Sequence, residues 1–169
     1  MGKNSVAGLS GKGEEAMQLA AVKQQYIEHM ESLRAEELLD DQFLELQQLQ
    51  DESSPDFVEE VVLLFIQDSG RIIQNLADSL EQKPVNFKKV DAHVHQFKGS
   101  SSSIGAKRVK AVCIILHMCC DRQDQQGCLF ALEHVKREFD LIKGKLETML
   151  ELEKQIVALG GTPPFLNKL

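Results

Sequence analysis

The spacing of apolar residues near the C-terminal end restricts the fold of this chain more than any other feature. Leu132, Val135, Phe139, Ile142, Leu146, Met149 and Ile156 recur at intervals of three, four and seven. That near-heptad period lays them along one stripe of a long helix; a strand would need alternation every second residue. Gly160-Gly161 and then Pro163-Pro164 follow, which are stop signals for a helix. The pattern predicts a helix over residues 128–158.

The same period runs through most of the chain. Leu19, Val22, Tyr26, Met30 and Leu33 predict a first helix over residues 14–36. In DDQFLELQQLQ, Phe43, Leu46 and Leu49 share one side. Ser54-Pro55 reads as N-cap and first helical position of a helix over 55–82. Its stripe is Phe57, Val61, Leu64, Phe65, Ile72, Leu76 and Leu80. Gly70 inside it costs about 1 kcal/mol against alanine. Lys83-Pro84 breaks that helix, Asn86 is a suitable N-cap for the next, and Gly105 is a suitable end. Val109, Val112, Cys113, Leu116 and Cys120 form a further stripe, closed by the polar break DRQDQQG.

No segment alternates with a period of two, so the expected class is all-α. Short connections between long amphipathic helices favour antiparallel neighbours. Six helices are expected, of which the last four (55–82, 86–104, 106–122 and 128–158) form an antiparallel up-and-down four-helix bundle. The first two are expected to pack across one end. Residues 1–13, rich in Gly, Ser and Lys, read as a flexible N-terminal tail. Residues 14–158 read as one helical domain, and 159–169 as a flexible C-terminal tail.

Charge narrows the partners. The net charge is −7 and the pI about 5.2, a poor match for the phosphates of nucleic acid and a better one for basic or mixed protein surfaces. Three of the four cysteines, Cys113, Cys119 and Cys120, fall in the run AVCIILHMCC, without a C-x-x-C pair. They read as small buried apolar residues, which favours a reducing, intracellular setting. The N-terminal segment lacks an apolar signal core, and Val6 stands where a myristoylation pattern needs Ser or Thr. Apolar runs of about ten residues are too short to cross a bilayer, so a soluble protein without a membrane partner is expected.

The segment His93 to Gly105, HVHQFKGSSSSIG, combines two histidines, a lysine and a run of serines. On a helical wheel, Phe87, Val90, Val94, Phe97, Ser101 and Ile104 fall on one stripe that runs through the serines. The serines are therefore expected to be helical, packing overriding their weak propensity. His95 points about 130° from that stripe, outward. Its neighbours on the helix surface are Ala92, Gly99 and Ser102, all small, so the imidazole stands on a bare patch. Lys98 follows at i+3 and offers a cation beside it. A glycine at 99, in mid-helix, has no packing reason in the sequence.

Competing chemistries fit less well. His93 and His95 are about 200° apart on a helix and cannot chelate together. No H-E-x-x-H, phosphate-loop, kinase or hydrolase signature is present. His93, His117 and His134 read as core-edge or surface residues, and His29 has no evident role. No metal site is expected.

The stretch His95-Gln96-Phe97-Lys98-Gly99-Ser100 closely resembles the signature of plant histidine-containing phosphotransfer proteins, whose wider family carries His-x-x-Lys-Gly-Ser. DDQFLELQQLQDESSPDFVEEVVLLF, SSIGAKRVK and LETMLELEKQI resemble it too, so the likeness covers residues 20–158. LHMCCDR, residues 116–122, is less aromatic than the family pattern. The resemblance implies a six-helix fold with a four-helix bundle. It implies that His95 takes a phosphoryl group from an aspartate in the receiver domain of a sensor histidine kinase. It then passes the group to the aspartate of a response regulator, in cytokinin-type signalling, with movement between cytoplasm and nucleus. Lys98 then supports the phosphate charge and Gly99 gives clearance. Ala92, Gln96, Ser102, Asp41 and Gln42 are docking candidates, and a monomer is expected. No carboxylate cluster for Mg2+ is evident near His95, so the metal and the acidic pocket are expected from the receiver and the chain needs no cofactor of its own. Two rivals stand beside this reading: an adaptor that binds receivers without carrying phosphate, and a transferase that phosphorylates histidine from ATP. The presence of His95 speaks against the first, and the lack of a nucleotide motif against the second.

Overall fold

The computed structural model describes residues 3–164, and among them it contains six α-helices and no strand. These are α1 (Lys3–Ala35), α2 (Asp41–Leu49), α3 (Phe57–Glu81), α4 (Phe87–Ile104), α5 (Lys107–Asp121) and α6 (Gln125–Ala158). The all-α expectation holds. Helices α3, α4, α5 and α6 pack as a closed ring in chain order, each against its two neighbours. Their apolar stripes meet at Phe97, whose ring lies edge-on to Phe139 with centroids 6.5 Å apart. Phe65 approaches Phe139 from α3 in the same manner at 6.1 Å.

The first two helices do not both cover one end of the bundle, as the sequence suggested. Helix α1 lies along α6, and α2 sits on α4 and α3. The His29 ring bonds the Lys145 carbonyl (2.8 Å) and the Tyr26 hydroxyl donates to Glu153 (3.0 Å), so α1 runs antiparallel to α6. This gives His29 the structural role that its sequence context did not suggest.

Four other expectations need correction. Helix α1 starts at Lys3, so residues 3–13, expected as a tail, are helical. That segment has no proline to end the helix, although its glycines weaken it. Ser54-Pro55 is not the N-cap and first position of α3. The helix begins at Phe57, and the Gln50 side chain accepts the Val58 N–H (3.0 Å), doing the work of a cap. Within α3 the buried stripe is Val58, Val62, Phe65, Ser69, Ile72, Leu76, Ser79 and Leu80, and Leu64 is exposed. Because VVLLFI is apolar at successive positions, period alone does not select its inner face. Leu49 of α2 is exposed for a related reason: Gln47, on the inner side, is bonded to the buried Tyr26 hydroxyl. Residues 165–169 of the expected C-terminal tail lie outside the described residues.

Helix α4 is fixed at both ends as its sequence predicts. Asn86 accepts the Lys89 N–H (3.1 Å). At the other end the Ala106 N–H reaches the Ser101 carbonyl (2.9 Å) and the Gly105 N–H the Ser102 carbonyl (3.2 Å). This is a Schellman closure, which needs the left-handed backbone that Gly105 adopts at φ 81°. The Gly105 carbonyl accepts the Asp40 N–H (2.9 Å), and the Asp40 carboxylate caps α2 through the Gln42 N–H (2.9 Å). The turn after α4 thus seats the start of α2. Cys113, Cys120 and Cys128 are buried thiols and Cys119 is half-buried, in keeping with small apolar roles. Among the described residues no helix is long and apolar enough to cross a membrane.

Candidate functional site

Helix α4 holds the site because its inner face is pinned. Val90, Val94, Phe97, Ser101 and Ile104 are buried, and the serine run is helical through Ile104 as expected. Ser103 returns its hydroxyl to the Gly99 carbonyl (3.0 Å), which satisfies it within the helix. With that face packed, His95, Ala92, Gln96 and Gly99 are exposed and Ser102 is half-exposed. A Cβ placed on Gly99 would meet no atom within 4 Å. Packing inside this chain therefore does not require glycine at 99, although the same is true of Gly70 and Gly144.

His95 borders a shallow depression of about 330 Å3 between α4 and α5. Lys88, Asp91 and Lys98 line it from α4 and His117 from α5. Lys98 lies in the seam between the helices, where its charge bears on both Cys113 and His117. Burial pushes the Cys113 thiol up to about 12, only partly offset by that cation, so it is an inert thiol at neutral pH. His93 is half-buried and takes no part in the depression.

The α5 side of the site was not legible as a site in the sequence. His117 stands with Nδ1 2.7 Å from Asp91 Oδ1 and Nε2 3.3 Å from Asp121 Oδ2. The hydrogen bond and charge of Asp91, and then the charge of Asp121, raise its proton affinity; Lys98 opposes them weakly. Two weak signals existed. Asp91 precedes His95 by four residues, on the same face of the helix, and His117 precedes Asp121 by four. Neither tells which helix comes to lie opposite.

Asp41 and Gln42 are not brought into the depression. They begin α2, which seats on Gly105, and Gly105 is ten residues beyond His95, about 15 Å along the helix axis. Asp41 pairs there with Arg34 (2.9 Å). Of the residues singled out in the sequence, His95, Lys98 and Ala92 line one hollow, with Gln96, Gly99 and Ser102 on the adjoining exposed face of the same helix.

What this arrangement offers is an accessible imidazole on a rigid helix, with lysines beside it and open space above it. Such a group suits reaction with an atom presented by another molecule, since the imidazole is exposed at the rim of the hollow.

Comparison with known proteins points the same way. A family profile for the Hpt domain matches residues 60–155, from α3 through nearly all of α6. Histidine-containing phosphotransfer protein 1 of Arabidopsis thaliana is 53% identical over 148 residues, which cover 88% of this chain and 96% of that protein. Pseudo histidine-containing phosphotransfer protein 2 of rice is 40% identical over 140 residues, 83% of this chain and 93% of that one. The X-ray structure of a histidine-containing phosphotransfer protein from rice aligns with a TM-score of 0.78 at 47% identity, covering 82% of this chain and 97% of that one. By the matched domain, the extent of these alignments and the shared helical fold, this chain belongs to the family of histidine-containing phosphotransfer proteins.

Proposed function

We propose that this protein is a phosphorelay carrier. His95 accepts a phosphoryl group from the aspartyl phosphate of a sensor kinase's receiver domain and passes it to the aspartate of a response regulator. The observation that carries this reading is the placement of His95 itself. It sits within His-x-x-Lys-Gly-Ser, on the exposed side of a helix whose other face is locked in the core, at the rim of a hollow that Lys98 also lines.

In the transfer, the lone pair of an unprotonated imidazole nitrogen attacks phosphorus. The P–O bond to the aspartate breaks, a P–N bond forms, and the carboxylate leaves with the bonding pair. Onward transfer is the reverse with a second aspartate. Positioning and charge compensation dominate such chemistry. Lys98 supplies compensation on this side, while Mg2+ and the acidic pocket belong to the receiver. The chain then contributes half of an active site, works as a monomer and uses no nucleotide or cofactor of its own. Ala92, Gln96, Gly99 and Ser102 form the floor on which the receiver rests, and Asp41 and Gln42 meet at most its margin. Cytokinin-type signalling, with shuttling between cytoplasm and nucleus, is the setting proposed for it from the sequence resemblance.

The test is incubation with a phosphorylated receiver domain. Acid-labile, alkali-stable label is expected on the wild type and none on a folded His95→Gln variant. Label persisting on that variant overturns the reading. Receiver binding without any label on the wild type would assign the chain to the adaptor role instead.

A further inference from the structure

We infer that His117 is a positioning residue for this transfer: held between Asp91 and Asp121, its protonated ring gives the charged groups around the hollow a net positive charge that favours a phosphoryl group on His95, and so makes phosphoryl acceptance depend on pH. This rests on the carrier role of His95.

The charges around the hollow come from two helices. From α4 come Lys88, Asp91 and Lys98, and from α5 comes His117, with Asp121 behind it at 3.3 Å. The remaining lining residues besides His95, Ala92 and Val94, carry no charge. On the α6 side of α5, Asp124 is occupied as the cap of α6, accepting the Gly127 N–H (2.9 Å). With His117 neutral, the two lysines and two carboxylates cancel. With His117 protonated the group carries one net positive charge. A phosphoryl group brings a charge of about −1.5 to −2, so that one proton decides whether the surroundings attract it or are indifferent to it. The imidazole is well placed to hold the proton. Both ring nitrogens face carboxylates, at 2.7 and 3.3 Å, and an incoming phosphate strengthens the hold. His117 also ties α5 to Asp91, one helical turn before His95. Its side chain is half exposed, so screening limits the effect to roughly three- to tenfold in rate.

The experiment measures the initial rate of phosphoryl transfer from a phosphorylated receiver domain between about pH 6 and about pH 8.5, a range that spans histidine titration. Wild type, His117→Arg and His117→Ala are compared. His95 is common to all three, so its own titration and that of the receiver cancel in the ratio of wild type to His117→Arg. That ratio is expected to stay near one at the acid end and to fall several-fold at the alkaline end. His117→Ala is expected to be slow throughout. Adding Asp91→Asn and Asp121→Asn to His117→Ala should restore the rate, because without the two carboxylates Lys88 and Lys98 leave the hollow with a net positive charge; a purely structural role for His117 would not be rescued. A ratio that does not vary with pH, or no rescue in the triple variant, overturns the inference while leaving the carrier role of His95 intact. Loss of the carrier role would show separately, as label that does not depend on His95.

Discussion

The Tyr26 hydroxyl donates to the Glu153 carboxyl at 3.0 Å, joining α1 to the neighbouring α6, and itself accepts from Gln47 of α2 at 2.9 Å. Three helices meet at one buried polar cluster. Burial, with a smaller contribution from the charge of Glu59, raises the Glu153 pKa from 4.5 to about 7. The Tyr26 hydroxyl is pushed well above its ordinary range, mainly by burial and then by the charge of Glu153, so it stays protonated as a donor.

This cluster predicts a fall in stability with rising pH. An acid whose folded pKa is raised keeps its proton longer when folded than when unfolded. The folded state therefore binds more protons between 4.5 and about 7, and stability is lost as pH rises through that window. The loss is at most about 1.4 kcal/mol per pH unit from this one group. Urea unfolding of the wild type from acid to neutral pH should show it, and Glu153→Gln should flatten the profile. An unchanged slope in that variant counts against Glu153 as its source.

Two glycines should respond in opposite directions to alanine. At Gly105 the backbone is left-handed, and a Cβ would crowd the Asp40 side chain and lie 2.9 Å from the Phe43 nitrogen. Gly105→Ala should cost about 2–3 kcal/mol, from the positive φ and the disturbed cap of α2. Gly70 is helical and exposed with nothing within 4 Å of a Cβ, so Gly70→Ala should gain about 0.5–1 kcal/mol. Chemical denaturation of both variants checks the sign of each.

Gly99→Leu separates folding from partner access. The position is helical, exposed and open, so stability should hold or rise by up to about 1 kcal/mol. Transfer from a receiver should slow by at least about tenfold, a barrier change near 1.4 kcal/mol, because the side chain occupies space the partner needs. Equal transfer rates in variant and wild type would remove Gly99 from the docking face.

Lys98 is expected to act by charge. Lys98→Ala should slow transfer by about tenfold and shorten the lifetime of phosphohistidine, whereas Lys98→Arg should keep most of both. Equal losses in the two variants would point to the shape of the side chain rather than its charge.

Much of the scaffold was readable from helical period and caps. The stripes of α5 and α6 are buried as their spacing predicts, and Asn86 and Gly105 bound α4. The serine run is helical because Ser101 and Ile104 continue a stripe already set by Val90, Val94 and Phe97. Reading failed where local signals competed. Ser54-Pro55 looks like a helix start, yet Asp51 accepts the Ser53 and Ser54 N–H groups in a turn (2.9 and 3.0 Å), which delays α3. In VVLLFI every position is apolar enough to be inside, so the neighbours α4 and α6 chose Val62 and Phe65 and left Leu63 and Leu64 outside.

The site divides in the same way. The wheel of α4 places His95 outward among small residues, because angular position within one helix follows from residue number alone. By itself, then, the sequence determined an all-α chain, the exposed histidine with its lysine and glycine, and the caps that hold their helix. Only the tertiary structure decided that α5 lies against that helix, so that His117 meets Asp91 beside His95, and that α2 sits about 15 Å away at Gly105. Helical period sets which way a residue points; which helix it points toward depends on how all the buried faces close together into one core.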